Sequence, residues 1–319
     1  MEVRKTILIA LAVLITGSSF CQELSKYIAI DQFGYLPVSR KVAVIRDPQQ
    51  GFDAGESFSP GAYYAVVNST TGEKVYRGER IAWGSGKTDP SSGDRAWHFD
   101  FTAVEVPGTY FVLDEERNVR SHKFIIAHHV YNEVLRQAMR TFFYQRAGFP
   151  KEAQYAGEGW ADGASHMGPL QDTQCRSFFD KDNPETEKDV HGGWYDAGDY
   201  NKYSSWTANY IVELMKAYSE NPGAWGDDYN IPESGNGIPD ILDEARWGID
   251  HLMRMQQEDG SVLSIVGEAH GSPPSSATGP SYYGPPNTSA TLNTSAAFAL
   301  ASGVYRTTGD EMYADTLLA

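Results

Sequence analysis

The sequence predicts two domains, a small β-sandwich followed by an all-α domain, and three observations carry that expectation. Between residue 27 and about residue 126, apolar residues alternate in short runs separated by Gly, Pro, Asn and Ser clusters, the pattern of half-buried strands joined by turns. At Val130 the apolar period becomes that of a helix. A length of 319 residues, with 41% hydrophobic and 13% aromatic content, is enough to bury two cores.

The first five residues carry charge, an apolar run covers 7–15, and Thr16-Gly-Ser-Ser-Phe-Cys-Gln22 supplies small residues; this order predicts a secretory signal over 1–21. The apolar run is well short of the ~20 residues that span a bilayer, and no later stretch approaches that length, so no transmembrane segment is expected. Cleavage after Cys21 competes with lipid attachment at Cys21. Phe20 disfavours the lipoprotein route, so the reading is a secreted, periplasmic or cell-surface protein. Without the signal, Cys175 is the one cysteine left, which rules out an intramolecular disulfide and reads as a buried structural thiol.

The predicted strands are 27–30, 41–45, 62–67, 97–101, 108–113 and 122–126, and the first domain is placed at 24–127. Val106-Pro-Gly opens a turn into the fifth strand, and 68–72 supplies another. In the helical domain, 130–319, Val130, Val134, Leu135, Ala138, Met139, Phe142 and Phe143 share one face of a first helix, closed by Gly148 and Pro150. Further helices are expected at 206–219, from Pro239 onward with Ile241, Leu242, Ala245, Ile249 and Leu252 inward, at 290–307, and from 310. The loops 147–193 and 267–286 are unusually long and rich in aromatic residues, which suggests a toroid of helices whose loops build one working face.

Lys and Arg number 26 against 42 Asp and Glu, a net charge of −16 that leaves no basic face for nucleic acid or anionic membrane. The chemistry concentrates in His191-Gly-Gly-Trp-Tyr-Asp-Ala-Gly-Asp-Tyr-Asn-Lys-Tyr203, where Asp196 and Asp199 lie three apart ahead of a helix. Two carboxylates sharing one water supply a base and an orienting partner, as hydrolysis of an acetal requires. Trp194, Tyr195, Tyr200 and Tyr203 offer flat surfaces for pyranose rings. On the bare Asp-Ala-Gly-Asp alone, a hard-cation loop or a helix-capping turn is the commoner reason for two such aspartates.

The same segment resembles the catalytic-base motif of glycoside hydrolase family 9, the endoglucanase family with an (α/α)6 barrel. Gly235-Asn-Gly-Ile-Pro-Asp-Ile-Leu-Asp-Glu-Ala-Arg-Trp-Gly248 is similar to its following barrel helix, and Ile30-Asp-Gln-Phe-Gly-Tyr-Leu-Pro37 to the opening strand of the immunoglobulin-like domain that many members carry. The resemblance implies an inverting hydrolase of β-1,4-glucosidic bonds in cellulose or related β-glucans. Asp199 is then the general base and Asp196 positions the water, with Trp194, Tyr195, Tyr203 and His270 near the substrate. Alternatives are a glycan-binding protein on the same fold and an exo-acting oligosaccharide hydrolase.

The family's proton donor is a Glu late in the barrel, so the sequence is expected to be the N-terminal part of such an enzyme, without its acid and inactive alone. No cofactor is required. Members that bind zinc use cysteines and a histidine ahead of the motif; here those stretches read Arg146-Ala147-Gly148 and Ala164-Ser165-His166, so no catalytic or structural zinc is expected. Structural calcium is an option, with Asp240, Asp243, Glu244 and Asp250 as candidate ligands.

Overall fold

A computed structural model describes residues 22–319; the expected signal over 1–21, with Cys21, lies outside the described residues. The chain divides into two compact units between Val134 and Leu135.

Among the described residues, the first unit carries ten strands: β1 (Glu23–Leu24), β2 (Ile28–Ala29), β3 (Val42–Pro48), β4 (Tyr63–Asn68), β5 (Lys74–Glu79), β6 (Ile81–Ala82), β7 (Asp94–Asp100), β8 (Gly108–Asp114), β9 (Val119–Arg120) and β10 (Phe124–Ile126). One sheet runs β1-β9-β8-β4-β5 with β10 also on β8, and the other runs β2-β3-β7-β6. Register follows side-chain alternation: Ala43 and Ile45 stand opposite Phe99 and Trp97, and Val66 opposite Val112. These residues meet Phe101, Phe124 and Ile126 in one core, the expected immunoglobulin-like sandwich. The six expected strands are present. β5, β1, β6 and β9 were not expected, and β5 shows why: it is an edge strand with no buried residue, so it leaves no apolar alternation to read.

The second unit is helical, with α1 (Asn132–Gln145) starting just before the division, α2 (Ala153–Ala156), α3 (Ser204–Glu220), α4 (Asp240–Met255), α5 (Thr288–Thr307) and α6 (Glu311–Thr316). α3 packs against both α4 and α5. Ile241, Leu242, Ala245, Ile249 and Leu252 form the buried stripe of α4, as their spacing predicts, against Ile211 and Met215 of α3 and Ala297 and Ala301 of α5. Asn287 caps α5 by accepting from the Ala290 N–H at 2.8 Å. Pro239 stands immediately before α4, one position earlier than expected.

The unit is not purely α. The long loops meet in a four-stranded sheet, β11 (Arg176–Ser177), β12 (Lys202–Tyr203), β13 (Ile265–Gly267) and β14 (Tyr282–Tyr283), in the order β11-β14-β13-β12. Strands of two or three residues are below what alternation can reveal, so the sequence shows them only as long loops. Among the described residues, no helix is long and apolar enough to cross a membrane.

Candidate active site

The base-motif segment enters from the buried side. Gly193 has φ 75°, and a Cβ there would sit 2.6 Å from Cδ2 of the buried His251, so only glycine fits. Trp194 follows at 3% exposure and Tyr195 at 4%. Backbone bonds fix the register with the end of α1: Ala147 N–H donates to Gly193 O and Tyr195 N–H to Gln145 O, each at 2.9 Å.

The Trp194 Nε1–H donates to Glu244 Oε1 at 2.8 Å. Glu244 also receives the guanidinium of Arg146, with Nε–Oε1 3.0 Å and Nη2–Oε2 2.9 Å, and Arg146 continues to Glu233 at 3.0 and 3.1 Å. Arg146 and Glu244 are both fully buried, and the guanidinium lies 4.8 Å from the centre of the Trp247 ring. Hydrogen bonds on every side compensate for taking both charges out of water.

Past Tyr195 the chain turns outward. Tyr200 adopts φ 58°, a left-handed conformation costing about 1 kcal/mol for a non-glycine residue. Its ring is held 5.1 Å from Tyr195 and 6.0 Å from His270. Within this turn the Asp196 N–H donates to Asn201 O at 3.0 Å, and Asp199 Oδ1 accepts from Asn201 N–H at 3.2 Å. The Asp196 carboxyl is held above its ordinary range by partial burial and then by the negative charge of Asp199. Asp196 opens on a cavity of about 190 Å³ lined by Phe142, Gln145, Trp194, Tyr195 and Tyr210.

The expected site residues thus come together, in two roles. Asp196, Asp199 and Tyr203 are half-buried and His270 is exposed, with Tyr203 4.9 Å from Trp206. Trp194 and Tyr195 are buried walls rather than open platforms for sugar rings. The Trp194 ring packs on Phe142 at 5.0 Å and over Gly248, where a Cβ would come within 2.3 Å of it.

Beneath the segment lie polar residues the sequence reading did not single out. His166 Nε2 faces Ala269 O at 2.8 Å and so donates. His166 Nδ1 then accepts from Tyr195 OH at 2.5 Å, and Ser165 Oγ–H donates to that phenol at 2.5 Å. Lys202 is fully buried, 2.5 Å from Asp172 Oδ2 and 3.3 Å from Glu268 Oε1. Ser281 Oγ lies 2.8 Å from Asp172 Oδ1 and 2.6 Å from Glu268 Oε2. One hydroxyl proton cannot serve both acids, so the second contact needs a proton on a carboxyl. Burial supplies it, pushing Glu268 up to about 8, with Asp172 adding to the effect. Burial opposes the charge on Lys202, but Asp172 and Glu268 outweigh it and hold the ammonium protonated. The one legible sign of this cluster was Lys202, inside the motif itself.

Of the four candidate calcium ligands, Asp240 and Asp243 gather with Asp227, their oxygens within 4.8 Å of one another. Asp240 Oδ1 is buried without a hydrogen-bond partner, and burial pushes Asp243 up to about 6, so the set fits a hard cation. Glu244 and Asp250 are not ligands: Glu244 is committed to Arg146 and Trp194, and Asp250 accepts from Tyr313 OH at 2.8 Å. Cys175 is fully buried and its thiol is pushed up by burial, in keeping with a structural thiol.

Two consequences are testable. Glu244→Leu leaves the Arg146 charge buried with half its partners and should lower stability by about 3–5 kcal/mol in urea unfolding, where a loss under about 1 kcal/mol would contradict the anchoring role. Glu268 has a folded pKa raised from 4.5 to about 8, so its contribution is complete below 4.5 and is lost as pH rises toward 8. Glu268→Gln should therefore flatten the fall of stability with pH across that window by up to about 1.4 kcal/mol per pH unit relative to the wild type; parallel slopes would contradict the raised pKa.

Known proteins resemble the chain along both units. The glycosyl hydrolase family 9 profile matches residues 131–319, and that of the cellulase N-terminal ig-like domain matches residues 23–117. A cellulose 1,4-beta-cellobiosidase of Acetivibrio thermocellus is 34% identical over 91% of this chain and 35% of its own length. A xyloglucan-specific endo-beta-1,4-glucanase of Bacteroides ovatus is 34% identical over 74% of this chain and 37% of its own. The crystal structure of a metagenome-derived glycoside hydrolase family 9 endoglucanase superposes with a TM-score of 0.75 at 31% identity, covering 91% of this chain and 52% of that one. The chain thus spans about a third of the length of the two relatives and about half of the solved structure.

Proposed function

The chain belongs to glycosyl hydrolase family 9, and from that premise we propose that the protein hydrolyses β-1,4-glucosidic bonds in cellulose or a related β-glucan with inversion at the anomeric carbon. The observation that carries this reading is the pairing of Asp196 and Asp199 across Asn201, beside an aromatic-walled cavity. Asp199 is the general base. It takes a proton from a water that Asp196 helps to hold, and the water oxygen attacks the anomeric carbon as the bond to the leaving oxygen breaks on the opposite face. A second carboxyl beside the base, held above its ordinary range by partial burial and then by the charge of Asp199, gives the water a second hydrogen-bonding partner.

The family's proton donor is a Glu late in the barrel, and no residue of 22–319 is assigned that role. The reaction needs no cofactor. The substrate class is the one shared by the cellobiosidase and the xyloglucan-specific endoglucanase to which the chain is similar. An extracellular polymer as substrate agrees with the secretory signal read from the sequence.

The test is steady-state hydrolysis of soluble cello-oligosaccharides and of a β-glucan panel by the full-length protein. Asp199→Asn should lower kcat by about three orders of magnitude and Asp196→Asn by at least about ten-fold, with KM little changed. Retention of more than about a tenth of wild-type kcat by Asp199→Asn would remove it from the chemistry.

A further inference from the structure

Asn201 stands between the two aspartates, and every polar group it carries is committed. Its carbonyl accepts the Asp196 N–H at 3.0 Å and its own N–H donates to Asp199 Oδ1 at 3.2 Å. Its side-chain Nδ2 donates to Asp199 Oδ2 at 2.8 Å and to Tyr203 OH at 3.2 Å. The amide orientation is fixed from the far side: Oδ1 faces the backbone N–H of Glu268 at 3.2 Å, a group that can only donate, so Nδ2 must be the atom turned toward Asp199. Both oxygens of the Asp199 carboxylate are therefore tied to one residue, the shorter bond being charge-assisted, and the carboxylate plane cannot swing about its last torsion. The Glu268 N–H that sets the amide belongs to a residue whose own side chain is locked in the buried Lys202, Asp172 and Ser281 cluster.

We propose that Asn201 is the positioning residue that aims the Asp199 carboxylate at the water while registering Asp196 beside it. This role rests on the reading of Asp199 as the base. Asn201 touches no reacting atom, and it acts by restricting the orientation of the group that does. A general base rotated away from its proton loses the geometry on which proton transfer depends, whereas substrate binding is unaffected.

An alternative in which Asn201 only clamps β12 to the loop after β13 is separable with an isosteric change. Asn201→Asp keeps an oxygen for the Glu268 N–H and so keeps the clamp, but it replaces the donor facing Asp199 with an acceptor. Asn201→Ala removes both. Kinetics of the full-length protein on a soluble cello-oligosaccharide should show kcat reduced about 10- to 100-fold in both variants, with KM within about two-fold of wild type. Wild-type kcat in Asn201→Asp would overturn the positioning role and leave the clamp. A matching rise in KM in both variants would likewise overturn it, as disorder of the segment. Absence of hydrolysis by the wild type would overturn the proposed function, and this role with it; wild-type hydrolysis combined with unaffected variants would overturn this role alone.

Discussion

The buried contact of Arg146 with Glu244 is the interaction on which the rest of the site depends. Arg146 lies just past α1 and Glu244 on α4, and the carboxylate also receives the Trp194 indole at 2.8 Å. A charge pair with both partners at 0% exposure has no solvent to fall back on, so its geometry is far less negotiable than that of a surface pair. Three separate segments are thereby held at one point. The backbone bonds that pair 145–147 with 193–195 then transmit the position along the chain, and Asp196 leaves that ladder at its first outward residue. The tyrosine and histidine contacts of Tyr195 and Tyr200 steer the turn that follows, so that a strained φ at Tyr200 is tolerated because its surroundings over-determine it.

Below the turn the second polar cluster does a different job. Lys202 and its two acids bring one positive charge against one shared negative charge, since burial keeps a proton on the Glu268 side. The neutral total makes full burial tolerable, and Asp172 with the carbonyls of Val190 and Gly192 leaves the ammonium with fixed partners. The result joins β12, which directly follows Asn201, to the loops that carry Glu268 and Asp172. Tyr203, the other residue of β12, is then held half-buried beside the fixed Lys202.

Most of the fold was legible because its signals are periodic. The inward stripe of α4 and the alternation in β3 and β7 follow directly from apolar spacing, β4 and β8 stand out as continuous apolar runs buried on both faces, and the motif around Asp196 and Asp199 stands out by residue type. What escaped is short or non-local. β11 to β14 have two or three residues each, too few for a pattern, and β5 has no buried residue. Arg146 and Glu244 are 98 residues apart, and Lys202 and Asp172 are 30 apart, so their pairing appears only once the loops are folded. The motif suggests flat sugar-binding surfaces at Trp194 and Tyr195 because aromatic residues look alike in sequence whether they cover a cavity or wall one. The neighbours that bury them, Phe142, Gly248, Ser165 and His166, come from elsewhere in the chain.

The central claim is that Asp196 and Asp199 activate a water rather than attack the sugar themselves, and the configuration of the first-formed product tests it most directly. Proton NMR of the full-length protein acting on a β-1,4-linked oligosaccharide, read before mutarotation, should show the α-anomer appearing first. First appearance of the β-anomer would mean retention through a covalent intermediate, and the water-activating assignment of the pair would be wrong.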